Sequence, residues 1–194
     1  MTKTSNKRVG ASARPIFLLG FMCSGKTTLG QALGRTLGRN FVDLDTYIEI
    51  QRNKTINEIF ASEGEKAFRI IEKKCLDDLI EETGIKPAVI ALGGGTVCSE
   101  GVMDRLNKAG TTVFLQAPRE RIVERLLLEP EGRPLIRNKT KPEIEDFVAS
   151  KLTERMPFYM KACHTFDSSH LETAAEIEES VQAFISLLGI ERND

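Results

Sequence analysis

The stretch GFMCSGKTT, residues 20–28, constrains this chain more than any other. Gly20, Gly25, Lys26 and Thr27 fit G-x-x-x-x-G-K-[ST], the spacing of a phosphate-binding loop. Such a loop works only between a buried strand and a helix, and the flanking sequence supplies both. Ile16–Leu19 is a short apolar run, and from Lys26 to Gly38 the apolar residues Leu29, Ala32, Leu33 and Leu37 recur with a helical period. Glycines let the backbone curl so that several N–H groups face one anion, and the helix N-terminus adds positive potential. Lys26 is expected to reach the outer phosphates of a nucleoside triphosphate, and the Thr27 hydroxyl to ligate Mg²⁺. Cys23 stands among amides near a helix start, a setting that lowers a thiol pKa. A small residue that merely fits the loop is the plainer reading.

The remaining sequence alternates strand and helix. Phe41–Leu44 reads as a strand ending in the carboxylates Asp43 and Asp45. Thr55-Ile56-Asn57-Glu58 has the form of a capping box, and a longer helix is expected from about Glu65 to Glu82. Ala88–Leu92 is a third strand and runs into Gly93-Gly94-Gly95. Helix is expected over Glu100–Lys108, strand over Thr112–Leu115 and helix over Pro118–Leu128. The segment Glu129–Lys141, polar and broken by Pro130, Gly132 and Pro134, reads as a mobile loop. Helix resumes from Pro142 towards Lys161, a strand covers His164–Phe166, and a last helix begins near Leu171 and stops at Gly189. This order predicts one α/β domain over residues 15–190, a parallel sheet with helices on both faces.

A net charge of -1 gives no hint of a nucleic-acid or membrane surface, and no apolar run approaches the roughly 20 residues of a membrane helix. Residues 1–14 read as a loose basic lead-in, with an organelle transit peptide the alternative. Cys23, Cys75, Cys98 and Cys163 are scattered and form neither a metal-ligand spacing nor a disulfide framework, which points to a reducing, cytoplasmic setting. His164 and His170 offer no metal spacing and read as structural or surface residues. With no obvious partner surface, a monomer is expected.

A guanine-reading N-K-x-D loop is missing: Asn53-Lys54 and Asn138-Lys139 both lack the aspartate. A chain of 194 residues also leaves little room for the machinery of a motor ATPase. A small-molecule kinase remains. In a parallel sheet, ligands gather at the carboxyl ends of strands, where the phosphate loop, Asp43-Leu44-Asp45 and the glycine triplet all fall. Alternation along an extended segment is expected to turn Asp43 and Asp45 to the same side. A helix cap or solvated turn is the competing reading of such a pair.

The segments GFMCSGKTT, FVDLD, GEKAFRIIE, ALGGGTV, GRPLI and ERMPFY, spread over residues 15–170, together resemble the shikimate kinase family. The resemblance implies an adenylate-kinase-like, three-layer P-loop NTPase fold. Its five-stranded parallel sheet would have the order 2-3-1-4-5, with a mobile lid over residues 129–141. It implies transfer of the γ-phosphoryl of ATP to the 3-hydroxyl of shikimate, with Mg²⁺ as cofactor.

By the same resemblance, Arg69 and Arg155 bind the substrate carboxylate, a task that suits a planar guanidinium fork. Asp45 binds the substrate hydroxyls and orients or deprotonates the attacking one. Gly93, Gly94 and Gly95 line the substrate, with the Gly94 N–H reaching it. Glu72 holds Arg69 in place. Asp43 lies near Mg²⁺ and acts through a water. Arg133 closes with the lid over the phosphates, joining Lys26 and Asp45 in catalysis. Cys23, Ser24, Gly25, Lys26, Thr27, Thr28, Arg125 and Arg133 bind ATP, Arg125 on the adenine side. Two departures stand out: relatives often carry Gly or Ala at position 23, and no adenine contact is evident near Ser168–Ser169–His170. A kinase of another polyol acid, such as gluconate, and a non-catalytic nucleotide-binding module are the alternatives.

Overall fold

The computed structural model describes residues 14–85, 87–128, 136 and 138–190. The expected lead-in therefore falls outside the described residues except for Arg14, and so does most of the expected lid, including Arg133. Five strands form one sheet in the order β2-β3-β1-β4-β5. They are β1 (Ile16–Leu19), β2 (Phe41–Asp43), β3 (Val89–Ala91), β4 (Thr111–Gln116) and β5 (His164–Asp167). Every neighbouring pair is parallel, with Leu18 opposite Ala91 on one side of β1 and Val113 on the other.

Parallel strands need crossovers, and helices supply them: α1 (Lys26–Leu37), α2 (Leu44–Arg52), α3 (Ile56–Ile85), α4 (Val102–Ala109), α5 (Arg119–Leu128) and α6 (Lys141–Tyr159), while α7 (Ala174–Leu188) follows the last strand. The two-residue period of the strands splits the core into layers. Phe17 and Leu19 of β1, Ile90 of β3 and Phe114 of β4 face a cluster built with Leu44 and Ile48 of α2, Leu76 and Leu79 of α3 and Leu106 of α4. Ile16, Leu18, Val89, Val113 and Leu115 face the opposite cluster, closed by Leu29 and Leu33 of α1 and Val181, Phe184 and Ile185 of α7. Central β1 is buried on both sides, and each such side chain contributes roughly 1.5–3 kcal/mol. A third cluster packs Phe21 with Ile122, Val123 and Leu126 of α5 and Ile144 and Val148 of α6, beneath the phosphate loop.

Two elements differ from expectation. The second strand stops at Asp43, and Leu44–Arg52 is a helix rather than an extended continuation. The cause is local: the Asp43 side chain accepts hydrogen bonds from the amides of Asp45 (3.1 Å) and Thr46 (3.4 Å), capping α2, while Leu44 and Ile48 bury one face. Strand alternation therefore does not align Asp43 with Asp45. The two carboxylates meet because one caps the helix whose first turn carries the other.

The second difference is α3, which is longer than the expected Glu65–Glu82 helix and bends at Gly64 (φ 81°, ψ 172°). Its first arm starts at the expected capping box. The Thr55 amide donates to Glu58 Oε2 at 2.7 Å, and the Glu58 amide donates to Thr55 Oγ1 at 3.2 Å.

Candidate active site

The phosphate loop, Asp43 and the glycine turn stand at the carboxyl ends of β1, β2 and β3. The phosphate loop turns from β1 into α1, whose first turn holds no acidic residue, so the positive end of the helix faces the loop unopposed. Lys26 folds back over the loop and donates to the carbonyls of Gly20 (3.0 Å) and Phe21 (2.8 Å). Thr27 Oγ1 donates to Asp43 Oδ2 at 3.2 Å. A hydroxyl and a carboxylate thus converge as hard oxygen donors at the start of α1, a set that suits Mg²⁺.

Cys23 adopts φ 61°, in the left-handed region that a side chain strains, and a glycine would take this conformation without cost. Its carbonyl is held by Arg125 Nη1 at 3.1 Å. Arg125 also donates to the carbonyls of Ser168 (3.0 Å) and Ser169 (3.1 Å) and to Glu172 Oε1 at 2.8 Å. Its edges are therefore taken up by protein acceptors. The residue braces the phosphate loop against the segment between β5 and α7, and a base could meet it only by stacking on its plane.

A cleft of about 460 Å³ opens here, lined by Cys23, Gly25, Lys26, Thr27, Thr28 and Arg125, and by Leu128, Leu171 and Glu172. Ser24 is fully buried beneath the loop and does not line this cleft. Leu171 and Glu172 escaped the sequence reading, which started the last helix at Leu171. A capping box, Thr173 with Glu176, starts α7 at Ala174 and leaves both residues in the preceding loop.

On the other side of β1, Gly93, Gly94 and Gly95 form a turn from β3 into a short 3-10 segment, Thr96–Cys98. Their missing side chains are used. A Cβ on Gly93 would lie 3.0 Å from Asp45 Oδ1, one on Gly94 would lie 3.0 Å from Arg155 Nη1, and one on Gly95 would lie 3.0 Å from Arg69 Nη2. Residues from α2, α3 and α6 thus converge on one glycine turn. Arg155 lies over the Phe21 ring (5.5 Å to its centre) and Arg69 over Phe68 (5.2 Å). Arg69 Nη1 donates to Glu72 Oε2 at 2.8 Å. From below, Tyr159 donates to the Gly94 carbonyl at 2.6 Å; burial pushes its phenol up to about 12, so it remains a donor.

Asp45 stands between the two halves. Its outer edge is solvent-exposed, yet protein crowds the rest of the carboxylate at the cleft floor. Loss of hydration there, followed by the charges of Asp43 and Glu72, pushes the carboxyl up to about 6, while Lys26 opposes the shift. A carboxylate so tuned can take a proton near neutral pH.

A phosphate loop on a 2-3-1-4-5 sheet, facing a cationic pocket with a raised carboxylate, defines the class: a P-loop phosphotransferase acting on a small molecule. The family model described as shikimate kinase matches residues 22–188. The chain is 41% identical over 175 residues to the shikimate kinase of Bacteroides fragilis, covering 90% of this chain and 96% of that one. The crystal structure of the Bacteroides thetaiotaomicron shikimate kinase superposes with a TM-score of 0.87 at 39% identity, covering 91% of this chain and 99% of that one. That of the Acinetobacter baumannii enzyme, in complex with shikimate, gives 0.78 at 31% identity over 92% and 95%. The chain belongs to the shikimate kinase family and is an ATP-dependent kinase.

Proposed function

We propose that the protein transfers the γ-phosphoryl of ATP to the 3-hydroxyl of shikimate, giving shikimate 3-phosphate and ADP. The observation that carries this reading is the convergence of Arg69, Arg155 and Asp45 on the Gly93–Gly95 turn, one strand away from the phosphate loop. Two guanidinium groups suit a carboxylate, and a neighbouring carboxylate suits hydroxyls. Gluconate also carries a carboxylate and hydroxyls, but a fixed pocket of two cations and one acceptor fits a rigid ring with a vicinal diol better.

Asp45 accepts the proton of the attacking hydroxyl as its oxygen bonds to the γ-phosphorus and the bridge to the β-phosphate breaks. Lys26 leaves its loop carbonyls to follow the charge on the transferring group, and the loop amides hold the β-phosphate. Thr27, directly, and Asp43, through a water, would hold Mg²⁺, which neutralises phosphate charge. The base stacks beside Arg125, against Leu171. Closure of Arg133 over the phosphates rests on the family resemblance alone. The protein acts as a cytoplasmic monomer on these small molecules, with neither nucleic acid nor membrane as partner. Among the described residues no helix is long and apolar enough to cross a membrane.

The test is ADP release from Mg-ATP with shikimate, with gluconate and with no acceptor. Release that depends on shikimate supports the proposal. Release with gluconate alone overturns the acceptor pocket, and no acceptor-dependent release overturns the reaction.

A further inference from the structure

Glu72 is a carboxylate with only 3% of its surface exposed, and a buried carboxylate is costly unless both oxygens are paired. One oxygen accepts from Arg69. The other, Oε1, accepts from Thr96 Oγ1 at 2.6 Å, and Thr96 is itself 2% exposed. Thr96 follows directly on the glycine turn, 24 residues along the chain from Glu72. Its hydroxyl therefore ties the floor of the acceptor pocket to the middle of α3.

Arg69 has two carboxylates within reach. Glu72 holds it at 2.8 Å, and Glu65, one turn earlier and largely exposed, lies 3.5 Å away. Both hold it at once, Glu65 on Nη2 and Glu72 on Nη1, but Glu72 is the nearer and the buried partner, so it fixes the guanidinium beside Gly95 more firmly. Glu72 can hold Arg69 there only while its own rotamer is fixed, and the Thr96 hydroxyl is what fixes it. The same hydroxyl and two acids surround the missing side chain of Gly93: a Cβ there would lie 2.9 Å from Thr96 Oγ1, 3.0 Å from Asp45 Oδ1 and 3.3 Å from Glu72 Oε1.

We propose that Thr96 is a positioning residue for the acceptor, acting through Glu72 to aim Arg69 at the substrate carboxylate. The inference rests on the acceptor-pocket reading above and adds a member to it that touches no substrate. A purely structural Thr96 would matter through its methyl group and its shape; a positioning Thr96 matters through its hydroxyl.

The experiment compares wild type, Thr96→Val and Thr96→Ser by calorimetric titration with shikimate and, separately, with ADP. Loss of a hydrogen bond to a charged group predicts about tenfold weaker shikimate binding for the valine variant, with ADP affinity within about twofold of wild type. The serine variant keeps the hydroxyl and should bind shikimate like wild type. Equal losses in the two variants, or no loss in valine, overturn the proposal. Should the valine variant fail to bind ADP, the fold is at fault, and Thr96→Ala against Thr96→Ser reads the same hydroxyl. A wild-type protein that binds ADP but no shikimate overturns the acceptor reading, and this inference with it.

Discussion

The Tyr159 hydroxyl donates to the carbonyl of Gly94, 65 residues away in the chain, so α6 holds the acceptor turn from beneath while presenting Arg155 to it from the side. Tyr159→Phe keeps the ring on Phe114, at 5.0 Å between centres, and removes only the hydrogen bond. The loss should cost about 1–2 kcal/mol, seen as a lower urea midpoint at unchanged slope. It should also raise the KM for shikimate more than that for ATP. An unchanged ratio of the two would place Tyr159 in the core alone.

Asp45 should limit activity on the acid side. With its carboxyl raised to about 6, kcat/KM for the acceptor should fall as pH drops through that value, because the protonated form cannot accept the hydroxyl proton. The stability effect has the opposite sign. A carboxyl raised above its ordinary 3.8 stabilises the fold at low pH and loses that contribution as pH rises towards 6. Asp45→Asn should therefore abolish transfer, spare ATP binding and raise stability near pH 8. The gain should be about 1 kcal/mol, less than the full shift implies, because solvent reaches the carboxylate. A variant less stable than wild type at pH 8 would contradict this.

Position 23 should prefer glycine. Cys23→Gly removes a left-handed side-chain conformation and should stabilise by up to about 1 kcal/mol, offset in part by the freer unfolded chain. Cys23→Val places a branched side chain at the same φ and should lower both Tm and ATP affinity. Thermal melts of the three proteins with and without ATP rank them.

Arg125 should govern nucleotide affinity without touching the acceptor. Arg125→Lys cannot span Cys23, Ser168, Ser169 and Glu172 together, so the nucleotide cleft loosens. ADP affinity should drop about tenfold, roughly 1.4 kcal/mol, with shikimate affinity unchanged. A parallel loss of shikimate binding would show that the two halves do not act separately.

What could be read from the sequence follows from how far each feature reaches along the chain. The phosphate loop, the capping box at Thr55 and the apolar strands are local patterns, and each lies where its residues say. Strand order is not local; it came from the resemblance of six separated segments. Helix α2 was missed because Asp43 looks like the end of a strand until its side chain is seen capping Asp45 and Thr46. Yet Leu44 and Ile48, four apart, already carried the helical period. Leu171 and Glu172 reach the phosphate loop only through the folded sheet, and the bracing contacts of Arg125 were hidden because its protein acceptors are distant in sequence. Thr96 gave no signal at all, since a lone hydroxyl after three glycines reads as turn chemistry.

A sheet in which every neighbouring pair is parallel also sets the order in which the molecule can come into being. No two strands can zip together as a hairpin, so each pairing waits for a whole crossover to be made. During synthesis Leu171 and Glu172, which complete the cleft beside the phosphate loop, leave the ribosome some 140 residues after that loop. Until β5 docks on β4, the cleft beside the glycine loop lacks the side formed by Leu171 and Glu172. The complete nucleotide cleft thus waits until Leu171 and Glu172 have been made, and a fragment that stops before them lacks that side of it.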